Sequence, residues 1–176
     1  MHVENIHERQ IAAPPSRVGA LLDSLASDHD GLWPRADWPP MRLDRPLGEG
    51  ATGGHGPVAY RVTRYLPGRL VEFAFLGPRG FHGGHVFEVE PIDAATSRLR
   101  HTIRANLTGP ALVTWPVAIR HLHDALLEDA FAQAEASLGL APVVRPWSAW
   151  VKVLRRVMGG GRATPQRAPR PVNHGS

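Results

Sequence analysis

Three histidines and a tyrosine carry the side chains that could do chemistry in this sequence. His85 and His101 lie on the apolar faces of two neighbouring predicted strands, His123 lies within the apolar stripe of a predicted helix, and Tyr60 faces inward from an earlier strand. Neutral imidazoles and a phenol can bind a ligand's hydroxyl or carbonyl groups. A histidine with a pKa near neutrality can also move a proton in an aldol cyclisation or a dehydration. His85 and His101 are therefore the candidate catalytic residues. The alternative is that these histidines are hydrogen-bonded within the core or point to solvent at strand ends.

The spacing of the histidines argues against a metal site. His121 and His123 are two residues apart on a predicted helix, which points their rings in different directions. There is no HExxH motif, and the absence of cysteine excludes zinc thiolate sites. The glycine run at residues 48–56 does not join a predicted strand to a predicted helix, so it is not a phosphate-binding loop. We predict no metal and no cofactor.

The histidines are positioned by a succession of short strands and one long helix. Turn residues follow each strand at close intervals, which indicates antiparallel hairpins. The glycine run is predicted to be a flexible turn, and the aromatic, proline-rich residues 27–46 to be a long loop or to contain a short helix. The predicted strands cover 3–11, 58–65, 69–76, 81–91 and 98–107, and the predicted helices cover 15–26 and 111–138, the second with Pro116 at a kink or in its first turn.

A long helix with one apolar stripe must bury that stripe against the sheet, and a curved sheet around a helix leaves room for a ligand. We therefore expect an α+β fold in which a curved antiparallel sheet wraps around a long C-terminal helix, with a ligand cavity between them. Trp33 and Trp38 form either a lid on this cavity or aromatic anchors for their loop. The acidic residues Asp124, Glu128 and Asp129 are expected on a hydrated helix face. The predicted ligand-binding residues are Tyr60, Phe73, Phe75, His85, Phe87, His101, Ile103, Trp115, Ile119 and His123.

Three stretches give the chain a resemblance to a known superfamily: IHERQIAAPPSRVGALL, YRVTRYLPGRLVEFAFLGPRGFHGGHVFEV and LRHTIRANLTGPALVTWPVAIRHLHDALLEDAFAQAEASL. Over roughly residues 2–139 the sequence resembles the SRPBCC superfamily, also called START-like or helix-grip, which includes polyketide cyclases/dehydrases and lipid-transfer domains. The resemblance implies the helix-grip fold and binding of a hydrophobic or aromatic small molecule. It brings no universal catalytic residue, so it leaves open a polyketide cyclase/dehydratase-like enzyme, a non-catalytic lipid or metabolite carrier, and a partner-binding protein.

The C-terminal part of the chain differs in charge from the rest. Residues 143–176 hold seven of the 20 basic side chains and no acidic one. We expect a SRPBCC-like domain over 1–140, a basic amphipathic helical extension over 141–158 and a disordered basic tail over 159–176. The helix within 146–158 could dock on the main domain or on a second subunit, or contact a membrane interface; a nucleic-acid partner is not predicted. The polar N-terminus, the lack of a long apolar run and the lack of cysteine favour a cytoplasmic location.

Overall fold

The computed structural model describes residues 1–158, so the predicted disordered tail lies outside the described residues. Seven strands form a single antiparallel sheet in the order β1-β7-β6-β5-β4-β3-β2. The strands are β1 (His2–Ile11), β2 (Arg42–Leu43), β3 (Thr52–His55), β4 (Val58–Leu66), β5 (Leu70–Gly77), β6 (Phe81–Pro91) and β7 (Ser97–Leu107). The helices are α1 (Pro15–Asp23), α2 (Ala111–Thr114), a π-helical turn (Trp115–Ile119), α3 (Arg120–Ser137) and α4 (Ala149–Val157).

The sheet buries one face against the helices, as the alternation of its strands predicts. On β7, the side chains of Leu99, His101 and Ile103 are 1%, 2% and 4% exposed. The main hydrophobic core joins α1 and α3 to this face through residues such as Leu22 and Phe131, which are fully buried. A smaller cluster around Phe81, Ile103 and Trp115 fills the other end of the sheet–helix interface. The fold is α+β, with a sheet wrapped around a long C-terminal helix.

The predicted single helix over 111–138 is interrupted at its start. Its first four residues form α2, and the five residues from Trp115 to Ile119 form a π-helical turn that leads into α3. Pro116 lies in the first turn of this π-helical segment. Proline has no amide hydrogen to donate to a preceding carbonyl, so wider helical turns are a common accommodation near it. The turn places Trp115 inward, where it is 5% exposed.

Two predictions are wrong, one for the glycine run and one for a face of the long helix. The glycine run is not simply a flexible turn, because Thr52–His55 forms β3, pairs with β4 and also pairs with the short strand β2. The acidic residues of α3 do not form a hydrated face. Asp124 and Glu128 instead accept hydrogen bonds from His7 and Arg9 of β1 at 2.9 and 2.6 Å. The edge strand β1 therefore carries a polar face that matches the helix.

Two glycines at the start of β6 allow its neighbours to approach closely. A Cβ on Gly83 would lie 2.2 Å from the Arg104 carbonyl oxygen, and one on Gly84 would lie 2.0 Å from that of Phe73. Gly83 also has a φ of +148°, which side-chain-bearing residues rarely adopt. The pairing of β6 with β7 runs through both residues without a break. The two glycines therefore mark a close approach of neighbouring backbones and not a bulge between β6 and β7.

No helix among residues 1–158 combines the length and the apolar character needed to cross a membrane.

Candidate functional site

A cavity of about 490 Å³ lies between the sheet and the helices, a size typical of small-molecule sites. Its wall is mostly apolar, and the exposed residues Arg35, Asp37 and Met158 mark its mouth. Eight of the ten predicted ligand-binding residues line it: Phe75, His85, Phe87, His101, Ile103, Trp115, Ile119 and His123. The structure therefore brings together side chains from three strands and from the long helix.

The other two predicted residues, Tyr60 and Phe73, lie behind the cavity wall. Their rings contact His85, Phe73 stacking on the imidazole at a centroid distance of 4.6 Å and Tyr60 meeting it edge-on at 5.2 Å. Tyr60 is fully buried, and its hydroxyl has no hydrogen-bond partner. Burial raises the pKa of this phenol well above its usual value, so it stays protonated. These two rings hold His85 in place rather than face the cavity.

His85 and His101 form a hydrogen-bonded pair on the inner face of the sheet. The Nδ1 of His85 lies 3.0 Å from the Nε2 of His101, and the two side chains belong to the adjacent strands β6 and β7. They are 7% and 2% exposed. Burial lowers the pKa of both imidazoles well below the usual range, and the other histidines nearby lower each pKa further. At neutral pH the pair is therefore uncharged.

Two cavity-lining imidazoles keep nitrogen atoms without a partner. The Nδ1 of His101 and both ring nitrogens of His123 are buried and make no hydrogen bond. The two rings lie 4.9 Å apart, and burial lowers the pKa of His123 as well. Each neutral imidazole offers one donor and one acceptor. Leaving such groups unsatisfied in an apolar wall costs free energy, about 1–3 kcal/mol each. The wall therefore presents polar groups that a ligand could satisfy.

A fourth cavity histidine, His55, was missed by reasoning from sequence. It sits on β3, between Trp33 and Tyr60, with ring centroids at 4.7 and 5.9 Å. Burial lowers its pKa to about 4. The glycines around it predict a turn, which carries no inward face. The signal was present in the sequence, because His55 pairs with Val58 across a two-residue hairpin turn at Gly56-Pro57, and Val58 shares its inward face with Tyr60.

The aromatic loop and the C-terminal helix meet at the mouth of the cavity. The indole nitrogens of Trp38 and Trp147 both donate to one carboxylate oxygen of Asp129, at 2.7 and 2.8 Å. The guanidinium carbon of Arg155 lies 4.4 and 4.1 Å from the centres of the same two rings. We call Trp38, Asp129, Trp147 and Arg155 the indole clasp. Trp33 and Trp38 are predicted to be either a lid on the cavity or anchors for their loop. Both interpretations hold in part, because the indole of Trp38 is anchored by Asp129 and both tryptophans line the cavity.

One group among the described residues has the spacing of metal ligands. Ligand atoms of His7, His123 and Asp124 all lie within 4.8 Å of one another. Burial by itself would raise the pKa of Asp124. The neighbouring imidazoles of His123 and His7 and the amide of Asn5 outweigh that effect and hold it well below its usual range. His123 Nδ1 is 3.7 Å from the carboxylate, beyond hydrogen-bond reach. Nothing else here points to an ion, and the absence of a metal stays a prediction.

The comparisons with known proteins agree with this architecture. No protein-family model matches the sequence, and no curated protein matches it. Among solved structures, a protein from Thermobifida fusca is 18% identical, with a TM-score of 0.59 over 81% of this chain and 97% of that one. Norcoclaurine synthase from Thalictrum flavum, solved with dopamine and hydroxybenzaldehyde, is 13% identical, with a TM-score of 0.60 over 79% of this chain and 88% of that one.

A third structure, Ara h 8.0201, is 14% identical and has a TM-score of 0.54 over 79% of this chain and 99% of its own. The chain has the helix-grip fold. The predicted fold class is therefore confirmed, and the resemblance to the SRPBCC superfamily is supported at the level of the fold. At these identities the likeness is one of fold and not of activity. The polyketide cyclase/dehydratase subgroup, the domain boundaries, the site residues and the cytoplasmic location stay predictions.

Proposed function

We propose that this helix-grip domain binds an aromatic small molecule bearing a hydroxyl or carbonyl group. The observation that carries the proposal is an apolar cavity whose buried imidazoles, His101 and His123, keep ring nitrogens without partners. An apolar ligand alone would leave those nitrogens unsatisfied, whereas a hydroxyl can both donate to one imidazole and accept from the other. Norcoclaurine synthase, which shares the fold, was solved with two aromatic molecules that carry such groups.

The hydrogen-bonded pair His85–His101 supports a second step of the proposal, polyketide cyclase/dehydratase-like chemistry. A neutral imidazole can accept a proton as a flexible substrate is held in a reactive shape. Burial makes the protonated form costly, which weakens the pair as a base and favours its use as a hydrogen-bonding partner of the substrate. The proposal therefore assigns ligand contact to both residues first, and proton transfer to His101 only if turnover is found.

Competition binding tests the ligand class. Displacement of fluorescent phenylnaphthylamine should report cavity binding of naphthalene and of naphthol, which differ by one hydroxyl. The variant His101→Leu should weaken naphthol binding about tenfold and change naphthalene binding less than threefold, because it removes a hydrogen bond and keeps the apolar wall. Equal losses for the two compounds, or none, would rule out recognition of the hydroxyl by His101.

A matched pair of tryptophan variants tests whether the cavity is the site. Leu122 lines the cavity, whereas Val113 on α2 is 65% exposed. Leu122→Trp should fill the cavity and abolish phenylnaphthylamine binding, and Val113→Trp should leave it unchanged. Circular dichroism confirms that both variants fold. Unchanged binding in Leu122→Trp would place the probe elsewhere on the protein.

A carrier that contacts membranes is the second candidate, and one observation favours it. Trp150 donates to the Val117 carbonyl at 2.8 Å, which brings the apolar side chains exposed on α4 next to those exposed on α2 and the π-helical turn. Lys152 and Arg156 are exposed on the same helix. Val113→Asp combined with Val157→Asp should reduce sedimentation with anionic vesicles. Equal sedimentation of the wild type and this variant would remove the membrane from consideration.

A further inference from the structure

The C-terminal helix α4 completes the cavity, although it lies outside the part of the sequence that resembles the superfamily. Val151 and Leu154 are 4% and 9% exposed because they pack on the main domain. On the following turn, Arg155 and Met158 contribute to the cavity wall. The first turn of α4 is capped by Ser148, whose hydroxyl accepts a hydrogen bond from the Val151 amide at 3.2 Å. The extension is therefore part of the site and not an appendage to it.

The indole clasp holds the guanidinium group of Arg155 in one place. Two indole rings pack against it, and each ring is itself fixed by the hydrogen bond to Asp129. One terminal nitrogen of Arg155, Nη2, donates to the backbone carbonyl of Asp37. A planar cation that is held this way loses little conformational freedom when it binds an anion, which is the condition for strong recognition.

The other terminal nitrogen of Arg155 has no partner. Nη1 is buried and makes no hydrogen bond. The other charged residues of the wall do not change this. The guanidinium of Arg35 is bonded to the carbonyls of Asp28 and Asp30, and the side chain of Asp37 lies at the exposed mouth. Arg35 and Arg155 are matched in number by Asp37 and by Asp129 of the indole clasp, so the attraction for an anion comes from the unpartnered Nη1 and not from a net charge of the mouth.

We propose that Arg155 makes the cavity selective for aromatic ligands that carry one anionic group, such as a carboxylate. The anion pairs with the unpartnered Nη1 at the mouth, while the aromatic body lies among the apolar side chains of the wall. A charge-assisted hydrogen bond to a fixed guanidinium is among the stronger contacts that a ligand can make. This inference rests on the proposed function, because it assigns the ligand class of the same cavity.

Two fluorescent probes with the same aromatic body test the assignment. Anilinonaphthalene sulfonate and phenylnaphthylamine differ in one sulfonate group. Arg155→Gln should weaken binding of the sulfonate probe at least tenfold and change binding of the neutral probe less than threefold. Arg156→Gln is the matched control, because it removes the same charge from the exposed neighbouring position of α4. It should change neither affinity more than twofold.

A second variant distinguishes loss of the anion contact from release of helix α4. Arg155→Lys keeps the charge but lacks the planar fork, so it should bind the sulfonate probe with intermediate affinity. Raising the salt concentration should weaken sulfonate binding more in the wild type than in Arg155→Gln. Hydrogen exchange of the α4 amides shows whether either variant releases the helix.

Each other outcome has a distinct meaning. If Arg155→Gln weakens both probes equally, Arg155 is only a latch for α4 and the anion assignment is wrong. It is also wrong if wild-type protein binds the neutral probe and not the sulfonate, although the proposed function then survives. If wild-type protein binds neither probe, the proposed function fails and this inference fails with it.

Discussion

Helix α3 meets the sheet in two places, which differ in whether their polar side chains have partners. Along the edge strand β1, each ionic side chain on the face that meets the helix has a partner on α3. Arg9 bonds Glu128 and Glu135 at 2.6 and 3.0 Å, and His7 bonds Asp124 at 2.9 Å. We call this contact the β1 seam. Around the cavity, by contrast, buried nitrogens of His101 and His123 have no partner.

The difference supports the proposal that the cavity imidazoles bind a ligand, whereas the ionic groups of the β1 seam stabilise the fold. Removing a charge from water is tolerable when a partner and hydrogen bonds replace the hydration, as in the β1 seam. Unpaired imidazoles in an apolar wall lose their hydration without gaining a partner, so they lower the free energy of unfolding. In natural proteins, local violations of this kind concentrate at functional sites. The four predictions below test whether the seam and the cavity divide in this way.

The largest effect should come from breaking the β1 seam. Arg9→Met leaves Glu135 without its cation and Glu128 with only the exposed Arg145, and we expect a loss of about 3 kcal/mol in the free energy of unfolding. Arg104→Met is the control, since its pair with Glu4 is exposed on both sides and should cost less than about 1 kcal/mol. Urea unfolding measures both. Equal losses would mean that the seam is no more important than a surface ion pair.

The cavity histidines should make the protein sensitive to acid. The native state holds His85 and His101 neutral with pKa values well below 6.5, so the unfolded chain binds more protons once the pH falls below about 6.5. Stability should be constant above that pH and then fall by about 1.4 kcal/mol per pH unit for each buried histidine. The lowered pKa of Asp124 acts in the same direction, but only below about pH 4.

A double variant isolates that slope. His85→Leu with His101→Leu should reduce the fall in stability between pH 6.5 and 4.5 by about half, because the lowered pKa values of His55 and His123 remain, whereas His29→Gln, at an exposed position, should leave it as in the wild type. Thermal unfolding monitored across this range provides the measurement. A wild-type slope that survives the double variant would show that other groups cause the acid sensitivity.

The contrast between these regions also shows what could be read from the sequence. Period-two alternation placed His85 and His101 inward, because a strand that packs on one face turns every second side chain to the core. The seam was missed because the alternation of Asn5, His7 and Arg9 is polar, and the acidic residues of α3 suggested a solvated face. Polar strand and polar helix faces match each other only in three dimensions. Similarly, no local pattern reveals that Arg155 reaches the cavity from α4.

A smaller effect should distinguish two tyrosines. The buried hydroxyl of Tyr60 has no partner, whereas that of Tyr65 donates to Asp23 at 2.9 Å. Tyr60→Phe should therefore raise the free energy of unfolding by about 1 kcal/mol, and Tyr65→Phe should lower it by a similar amount. Chemical denaturation resolves changes of this size. Destabilisation by Tyr60→Phe would mean that this hydroxyl has a hydrogen-bond partner in solution and that fewer polar groups near the cavity lack partners than proposed.

The smallest global effect should come from the cap of α4. Ser148→Ala removes the acceptor for the Val151 amide, which costs about 1 kcal/mol within the helix. Because α4 covers the cavity and does not touch the β1 seam through its cap, we expect faster hydrogen exchange in residues 151–157 and little change elsewhere. Ser148→Asp should restore the protection, since aspartate also caps helices well. If the alanine variant also accelerated exchange along β1, the seam and the cavity would unfold as one cooperative unit. The contrast between partnered groups in the seam and unpartnered groups at the cavity could then not reflect separate roles.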